Sequence, residues 1–275
     1  MRVAVGQFSS GLDKAANLER ITTLSREAAA SGARLIVLPE GAMCDFGRPT
    51  DDLQPLAENL EGPFVEALAR LAAELELFVV AGMFEATPGS ARIYNTAVLV
   101  DPRRGLAGVY RKRHLFDAFN DRESDRFQPA DQESELMDLD GFKVGVAICY
   151  ELRFPRLFEN LADRGADLVL VPSAWVAGPL KEEHWSVLLR ARALDNTTYL
   201  AGSGQTGGRY AARSLIVDPF GAVLAGLGEA PGVAVAEISR ERLLDVRARL
   251  PVLAQRRAMG APSAGGREGG SPRHI

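Results

Sequence analysis

The sequence predicts a layered α/β protein with more than one sheet, and three observations support this. Short β-branched and aliphatic runs alternate with longer segments of helical spacing. Several runs are apolar throughout, which is typical of strands covered on both faces. Turn sequences containing Asp, Pro and Gly join some runs directly, as hairpins do. The 275 residues are 47% hydrophobic and their apolar segments are evenly spread, so we expect a single domain over residues 1–259.

Ten segments have the composition of strands and five have helical spacing. The predicted strands are residues 3–8, 34–38, 77–84, 96–101, 109–111, 142–149, 168–171, 199–204, 213–218 and 233–238. The predicted helices are residues 14–31, 62–76, 154–165, 181–196 and 239–249. Gly32 and Gly165 fall where helix C-caps belong, each just before a strand.

Two segments fall outside this alternation. Residues 112–130 are charged and aromatic with no clean period, which predicts a long ordered loop. Residues 260–275 are rich in Gly, Ser and Pro and are predicted to form a disordered tail.

Composition argues against several classes of partner. A net charge of -4 and a pI near 5.6 give no reason to expect nucleic acid or an anionic membrane. No apolar run has the length of a membrane span, and the first residues form a strand pattern rather than a signal peptide. With two cysteines far apart, we expect reduced thiols in the cytoplasm. No nucleotide, flavin or metal-binding motif is present, so no cofactor and no metal are expected.

Cys149 stands between an apolar strand pattern and a helix whose first turn contains Pro155. This places the thiol in a sharp turn at the carboxyl end of a strand, which is where open α/β sheets bind ligands. The N–H groups of the following helix favour a thiolate and an adjacent oxyanion. The alternative is a buried structural cysteine, the common state of free Cys and the role expected of Cys44.

A thiol nucleophile requires a base. The chain has three histidines: His114 follows a basic cluster, His184 lies on a predicted helix and His274 lies in the tail. No Asp or Asn visibly orients His114 or His184. A carboxylate does the same work if burial raises its pKa toward neutrality, and Glu40 closes the strand-like segment ARLIVLPE.

Three segments together resemble the nitrilase superfamily of carbon–nitrogen hydrolases: LPE at 38–40, YRKRHLF at 110–116 and VAICYELRFP at 146–155. Their order and spacing are similar to those of the superfamily over nearly the whole chain. HW at 184–185 followed by RARA at 190–193 strengthens the match. Within the superfamily the chain resembles the Nit-type small amidases, which include deaminated-glutathione amidases and ω-amidases. The resemblance implies a four-layer αββα sandwich and a homodimer.

The resemblance also implies roles for individual residues. Cys149 would be the nucleophile, and Glu40 the base that takes its proton and returns it to the departing group. Lys112 would face the tetrahedral oxyanion, with the backbone N–H of Tyr150 as the second donor. Glu123 matches a second glutamate that positions the lysine and the substrate. Without the other motifs, Lys112 would read as part of a solvated basic patch.

Two further residues are candidates for binding the substrate. Arg153 follows the cysteine turn and is the first candidate to hold a substrate carboxylate. Trp175 follows a predicted strand and would wall the pocket with its ring. Packing or a structural ion pair would explain either residue equally well. Arg190 and Arg192 better suit a subunit interface or a surface network.

The resulting hypothesis is hydrolysis of a small linear amide through a thioester, releasing ammonia and a carboxylic acid. Two alternatives remain open at this point. One is hydrolysis of an N-carbamoyl amide with the same residues. The other is a non-catalytic binding protein that retains the fold.

Overall fold

The computed structural model of the chain describes residues 1–119 and 121–260. Its strands are β1 (Arg2–Gln7), β2 (Leu35–Val37), β3 (Phe78–Glu85), β4 (Tyr94–Asp101), β5 (Gly105–Arg111), β6 (Asp117–Ala118), β7 (Asp121–Arg122), β8 (Met137–Leu139), β9 (Phe142–Val146), β10 (Leu168–Ser173), β11 (Tyr199–Gly204), β12 (Leu215–Val217), β13 (Val223–Gly226) and β14 (Gly232–Glu237). Its helices are α1 (Lys14–Ala30), α2 (Pro63–Leu75), α3 (Pro155–Asp163), α4 (Lys181–Asn196), α5 (Arg240–Arg249) and α6 (Val252–Gly260).

The strands form two six-stranded sheets and a short hairpin. The first sheet has the order β14-β1-β2-β3-β4-β5, and the second has the order β13-β12-β11-β10-β9-β8. In each sheet three consecutive strands run parallel, β1-β2-β3 and β9-β10-β11, and the outer strands are antiparallel. Strands β6 and β7 pair only with each other.

The period-two alternation of the strands builds the layers. Val3 and Val5 of β1 point into the core shared with the second sheet, whereas Ala4 packs among side chains of α1. Helices α1 and α2 cover the outer face of the first sheet, and α3 and α4 pack on the second. The sequence of layers is helix, sheet, sheet, helix, so the predicted αββα sandwich is confirmed.

Four strands lead to groups of one site at one end of the sandwich. Strand β2 leads to Glu40, β5 to Lys112, β9 to Cys149 and β10 to Ala174. A hydrogen bond from the Ala174 N–H to Glu40 Oε2, 2.7 Å long, joins the ends of the two sheets. The parallel strands therefore bring residues far apart in sequence to one site.

All ten predicted strands and all five predicted helices have a counterpart. The strand at 199–204 and the helix at 181–196 match at both ends, and the others are shifted at one or both ends. The strand predicted at 142–149 ends at Val146, because the chain turns into a 3₁₀ helix at Cys149–Arg153. The predicted loop at 112–130 contains β6, β7 and a 3₁₀ turn at Glu123–Asp125. The predicted tail, apart from its first residue, lies outside the described residues. Within those residues, no helix combines the length and the apolar character needed to cross a membrane.

Gly82 on β3 lies directly against the backbone that carries Glu40. An added Cβ would lie 2.5 Å from the N of Gly41, 2.6 Å from the Cα of Glu40 and 2.8 Å from the O of Pro39. Backbone atoms cannot rotate away, so G82A must shift the chain at 39–41. We expect a loss of about 1–3 kcal/mol in the free energy of unfolding, measured in urea. The control G228A places its Cβ with no atom within 4 Å, and equal stability of the two variants would contradict the argument.

Candidate active site

A buried ammonium group between two carboxylates forms the centre of the site. Lys112 and Glu40 are each only 2% exposed, and their charged atoms Nζ and Oε1 lie 2.8 Å apart. The same Nζ lies 2.9 Å from Oε2 of Glu123 and 3.2 Å from its Oε1. An ammonium has three N–H donors, and these three oxygens lie within hydrogen-bond distance of them.

Neutral donors satisfy the remaining carboxylate oxygens. Asn95 on β4 donates from Nδ2 to Oε1 of Glu40 at 2.8 Å and to Oε1 of Glu123 at 2.7 Å. The backbone N–H of Phe116 donates to Glu123 Oε2 at 2.6 Å, and Ala174 donates to the second oxygen of Glu40. Both carboxylates thus accept several hydrogen bonds, which offset part of the cost of their burial.

The electrostatics of the cluster keep the lysine protonated. Burial alone would lower the pKa of Lys112, but the charges of Glu123 and Glu40 outweigh it and hold this pKa well above its usual value. Burial raises the pKa of Glu123, against the opposing effect of Lys112. Two carboxylates surround one ammonium, so the three groups are electrostatically coupled.

Cys149 is the first residue of the 3₁₀ helix and has a φ of 48°, in the left-handed region. For a residue with a side chain this conformation costs about 1–3 kcal/mol. The thiol is buried, and burial together with the negative charge of Glu40 raises its pKa well above the usual value. The resting group is therefore a neutral thiol, and it becomes a nucleophile only if a base takes its proton.

The fully buried Glu151 holds the cysteine turn against the end of β5. Its Oε2 accepts from the N–H of Ile148 at 2.7 Å. Its Oε1 accepts from the hydroxyl of Tyr110 at 2.9 Å and from the N–H groups of Arg113 and His114 at 2.9 and 3.3 Å. One carboxylate thus fixes the residue before Cys149 relative to the residues after Lys112.

One cavity opens onto this cluster. Glu40, Lys112, Glu123 and Cys149 lie in its wall. The other residues that line it are aromatic, cationic or small apart from the acidic Asp121: Phe46, Phe116, Arg126, Tyr150, Ala174, Trp175, Val176, Lys181, Arg209 and Tyr210. The site therefore has an apolar wall with charged groups at defined positions, as small-molecule sites do.

The structure brings most of the sequence-predicted residues together. Besides the four central residues, Tyr150 and Trp175 line the cavity. The first backbone hydrogen bond of the turn is donated by the N–H of Glu151 to the carbonyl of Ile148, and Tyr150 is the residue before this donor. Arg153 is not part of the cavity wall: its guanidinium carbon lies 4.9 Å from the centroid of the Trp175 ring.

The histidines occupy other positions. The ring of His184 lies beside the guanidinium of Arg153, 3.3 Å from its Nη2. The ring of His114 stacks on Phe154 with 3.9 Å between centroids. His274 lies outside the described residues. Neither described histidine is in the wall of the cavity.

Three contributors escaped the sequence analysis: Asn95, the N–H of Ala174 and Lys181. Asn95 carries a weak signal, since it is a polar residue in a mostly apolar strand. The N–H of Ala174 carries none, because a backbone donor has no sequence signature. Lys181 looks like an ordinary polar residue in the first turn of a helix.

Comparison with known proteins points to one family. The family model for carbon-nitrogen hydrolases matches residues 2–248. A hydrolase of Mycobacterium tuberculosis is 39% identical over 269 residues, covering 92% of this chain and 94% of that protein. The deaminated glutathione amidase of Escherichia coli O157:H7 is 39% identical over 258 residues, covering 94% of this chain and 97% of that protein.

A solved amidase structure is also similar to this chain. It is a glutamate-to-glutamine variant of the amidase from Nesterenkonia sp. AN1, with the result of Michael addition of acrylamide at the active-site cysteine. Its TM-score is 0.78 at 28% identity, and the match covers 91% of this chain and 98% of that one.

The carboxylate of Glu151 can be tested by a nearly isosteric change. In E151Q one oxygen becomes an NH₂ group, so an N–H must face either the Ile148 N–H or the three donors at Oε1. A buried donor without its acceptor costs about 1–3 kcal/mol, and more when the lost acceptor is charged. We expect E151Q to lower the free energy of unfolding in urea by at least about 2 kcal/mol.

The matched control is E241Q, which makes the same change at an exposed position on α5. It should leave the unfolding curve within about 0.5 kcal/mol of the original chain. If E151Q were equally harmless, the carboxylate would not be holding the turn.

Proposed function

Because the chain belongs to the carbon-nitrogen hydrolase family, we propose that Glu40, Lys112 and Cys149 cleave a small linear amide through a thioester on Cys149. The protein is a hydrolase that acts on amides. The observation that carries the proposed mechanism is the convergence of a thiol, a carboxylate and a buried ammonium on one cavity.

In the first half of the reaction the sulfur of Cys149 bonds to the amide carbonyl carbon. Its proton passes to a carboxylate oxygen of Glu40, whose charge already raises the thiol pKa and so faces the thiol. When the tetrahedral adduct collapses, the C–N bond breaks and Glu40 gives the proton to the departing nitrogen. Ammonia or an amine leaves, and the acyl group remains on the sulfur as a thioester.

Charge that develops on the carbonyl oxygen is stabilised by Lys112 and by the Tyr150 N–H. The ammonium of Lys112 lies in the cavity wall, bonded to Glu40 and to both oxygens of Glu123, and the Tyr150 N–H lies at the start of the turn. Both groups are fixed before the substrate arrives, and Lys112 is buried, where a charge contributes most. Glu123 and Asn95 keep the ammonium in place.

In the second half a water molecule attacks the thioester carbon, and Glu40 takes one of its protons. Collapse of this adduct breaks the C–S bond, and the proton returns from Glu40 to the sulfur. The carboxylic acid leaves and the neutral thiol is restored. The number of protons on the enzyme is the same before and after, in keeping with a thiol that rests protonated.

The cysteine requirement can be measured on a panel of amides: deaminated glutathione, glutaramate, butyramide and N-carbamoyl-β-alanine. We expect the carboxylic acid to be released from at least one linear amide, and C149A to lower kcat/KM by about 10³-fold or more, since the covalent route is lost. The matched control C44A removes the other buried thiol, which does not line the cavity. Its activity should be unchanged. Full activity of C149A would overturn the proposal, and preference for the carbamoyl substrate would favour the alternative.

A second experiment separates thiol reactivity from turnover. The negative charge of Glu40 is, after burial, the largest cause of the raised pKa of Cys149. In E40Q this charge is gone while Lys112 remains, so the thiol should ionise at lower pH. We expect the pH–rate profile for alkylation by iodoacetamide to move about 1–3 units toward acid, while amide turnover is lost for want of a proton carrier.

The control for this experiment is E241Q, with both the alkylation profile and the turnover expected to match the original chain. A profile of E40Q that stayed in place or moved toward alkaline pH would contradict the assignment of Glu40. A glutamate-to-glutamine variant of the related amidase adds acrylamide at its active-site cysteine, which is the kind of behaviour expected here.

A further inference from the structure

Lys181 is a buried cation for which the described protein supplies no anion. It is the first residue of α4, is 7% exposed and lies in the wall of the cavity. Among residues 1–119 and 121–260, no carboxylate forms an ion pair with its Nζ, and no acceptor forms a hydrogen bond with it. A buried charge without a partner is costly, so its position needs an explanation.

Two other features of the fold add to the cost. The ammonium stands at the amino end of a helix, where the helix dipole disfavours positive charge. Arg153 lies on the same Trp175 ring, with its guanidinium carbon 4.9 Å and the Lys181 Nζ 5.0 Å from the centroid. Burial lowers the pKa of Lys181, and the charge of Arg153 lowers it further.

Aromatic rings hold the group next to the reacting thiol. The Nζ lies 5.5 Å from the centroid of Phe116 and 4.9 Å from that of Phe119. The edge of Phe116 packs on Tyr150, the residue after Cys149, with 5.2 Å between centroids. Cation–π contacts offset part of the desolvation, but they leave the N–H donors free to bind an anion.

The other cations in the wall are already engaged. Lys112 is paired with Glu40 and Glu123. Arg126 donates to the carbonyl oxygens of Phe46 and Arg48. Arg209 donates to the carbonyl of Gly47 and lies 3.6 Å from Asp45. Asp121 is also in the wall but makes no ion pair with Lys181.

We propose that Lys181 determines specificity by binding a carboxylate on the acyl part of the substrate, so that the preferred substrates are ω-amido acids rather than neutral amides. This inference rests on the proposed amide hydrolysis and adds the class of substrate to it. Arg153, the residue expected from sequence to do this, then acts outside the cavity by packing on Trp175. A bound carboxylate would satisfy the free N–H groups and oppose the positive field of Arg153 and the helix end.

The test compares amides that differ only in charge: glutaramate against glutaramide, which replaces the carboxylate with a neutral amide of the same size. The original chain should favour glutaramate in kcat/KM by about 10- to 100-fold, the range of one charge-assisted hydrogen bond. K181M should remove most of this preference by raising KM for glutaramate at least about tenfold more than it changes KM for glutaramide. K181R keeps the charge and should retain part of the preference.

The matched control is K143M, the same change at an exposed lysine on β9 that makes no side-chain hydrogen bond or ion pair among the described residues. It should reproduce the original kinetics for both amides. Equal loss on both amides in K181M would mean that Lys181 only packs the aromatic wall, and no loss on either would also overturn the inference. K181Q replaces K181M if the latter does not fold.

A binding experiment keeps the inference testable if neither amide is turned over. Glutarate should slow the alkylation of Cys149 by iodoacetamide, glutaramide should do so at least about tenfold less well, and K181M should abolish the difference. Glutarate protection that is the same in both proteins would overturn the inference. Loss of turnover with lysine-dependent protection would instead count against the proposed reaction alone.

The pH dependence gives an independent readout. Because the pKa of Lys181 is lowered, its charge is lost at lower pH than that of an exposed lysine such as Lys143. KM for glutaramate should therefore rise at alkaline pH while KM for glutaramide stays level. Parallel pH profiles for the two amides would contradict an ammonium–carboxylate contact.

Discussion

The ion cluster around Lys112 is the interaction on which the rest of the site depends. Its four side chains come from the segments after β2 and β5, from β4 and from the 3₁₀ turn at Glu123–Asp125. None of the three charges is stable alone at this depth, because removing one partner of a buried pair costs about 3–5 kcal/mol. The charges therefore require one another, and their geometry fixes the loop at 112–130 to the ends of the strands. In this arrangement of the loop, a cavity opens beside Cys149.

The turn at Cys149 also depends on a buried carboxylate. A left-handed φ at a residue with a Cβ persists only if surrounding contacts outweigh its cost. Glu151 provides these contacts, because its buried carboxylate accepts hydrogen bonds from the backbone N–H groups of Ile148 and Arg113. Glu151 thus joins the turn that carries Cys149 to the segment that follows Lys112, so the positions of the thiol and the ammonium are coupled.

Sequence reasoning predicted those parts of the structure that depend on local pattern. The apolar runs located the central strands, and the ends of those runs located Glu40 and Cys149, because a polar residue after a buried strand stands out. Strands β8 and β13 and helix α6 were missed, since they are short or exposed and carry little periodicity. The contacts of Asn95 and of the Ala174 N–H depend on how two sheets are stacked, which no local pattern records. The roles of Glu151 and Lys181 were missed for the same reason.

The two lysines in the cavity wall, Lys112 and Lys181, differ in whether the protein pairs them with carboxylates. Lys112 is paired by the protein itself with Glu40 and Glu123, so its ammonium is held in place before a substrate enters and, in the proposed reaction, faces charge that arises on the carbonyl oxygen. Lys181 is left uncompensated by the described residues, so an anion already present on the substrate would gain from meeting it. In the proposed reaction the first arrangement would stabilise a transition state, and the second would select a ground state. With both in one cavity, the rate of the chemical step and the choice of substrate would depend on different residues, because Lys181 is not a member of the ion cluster at Lys112.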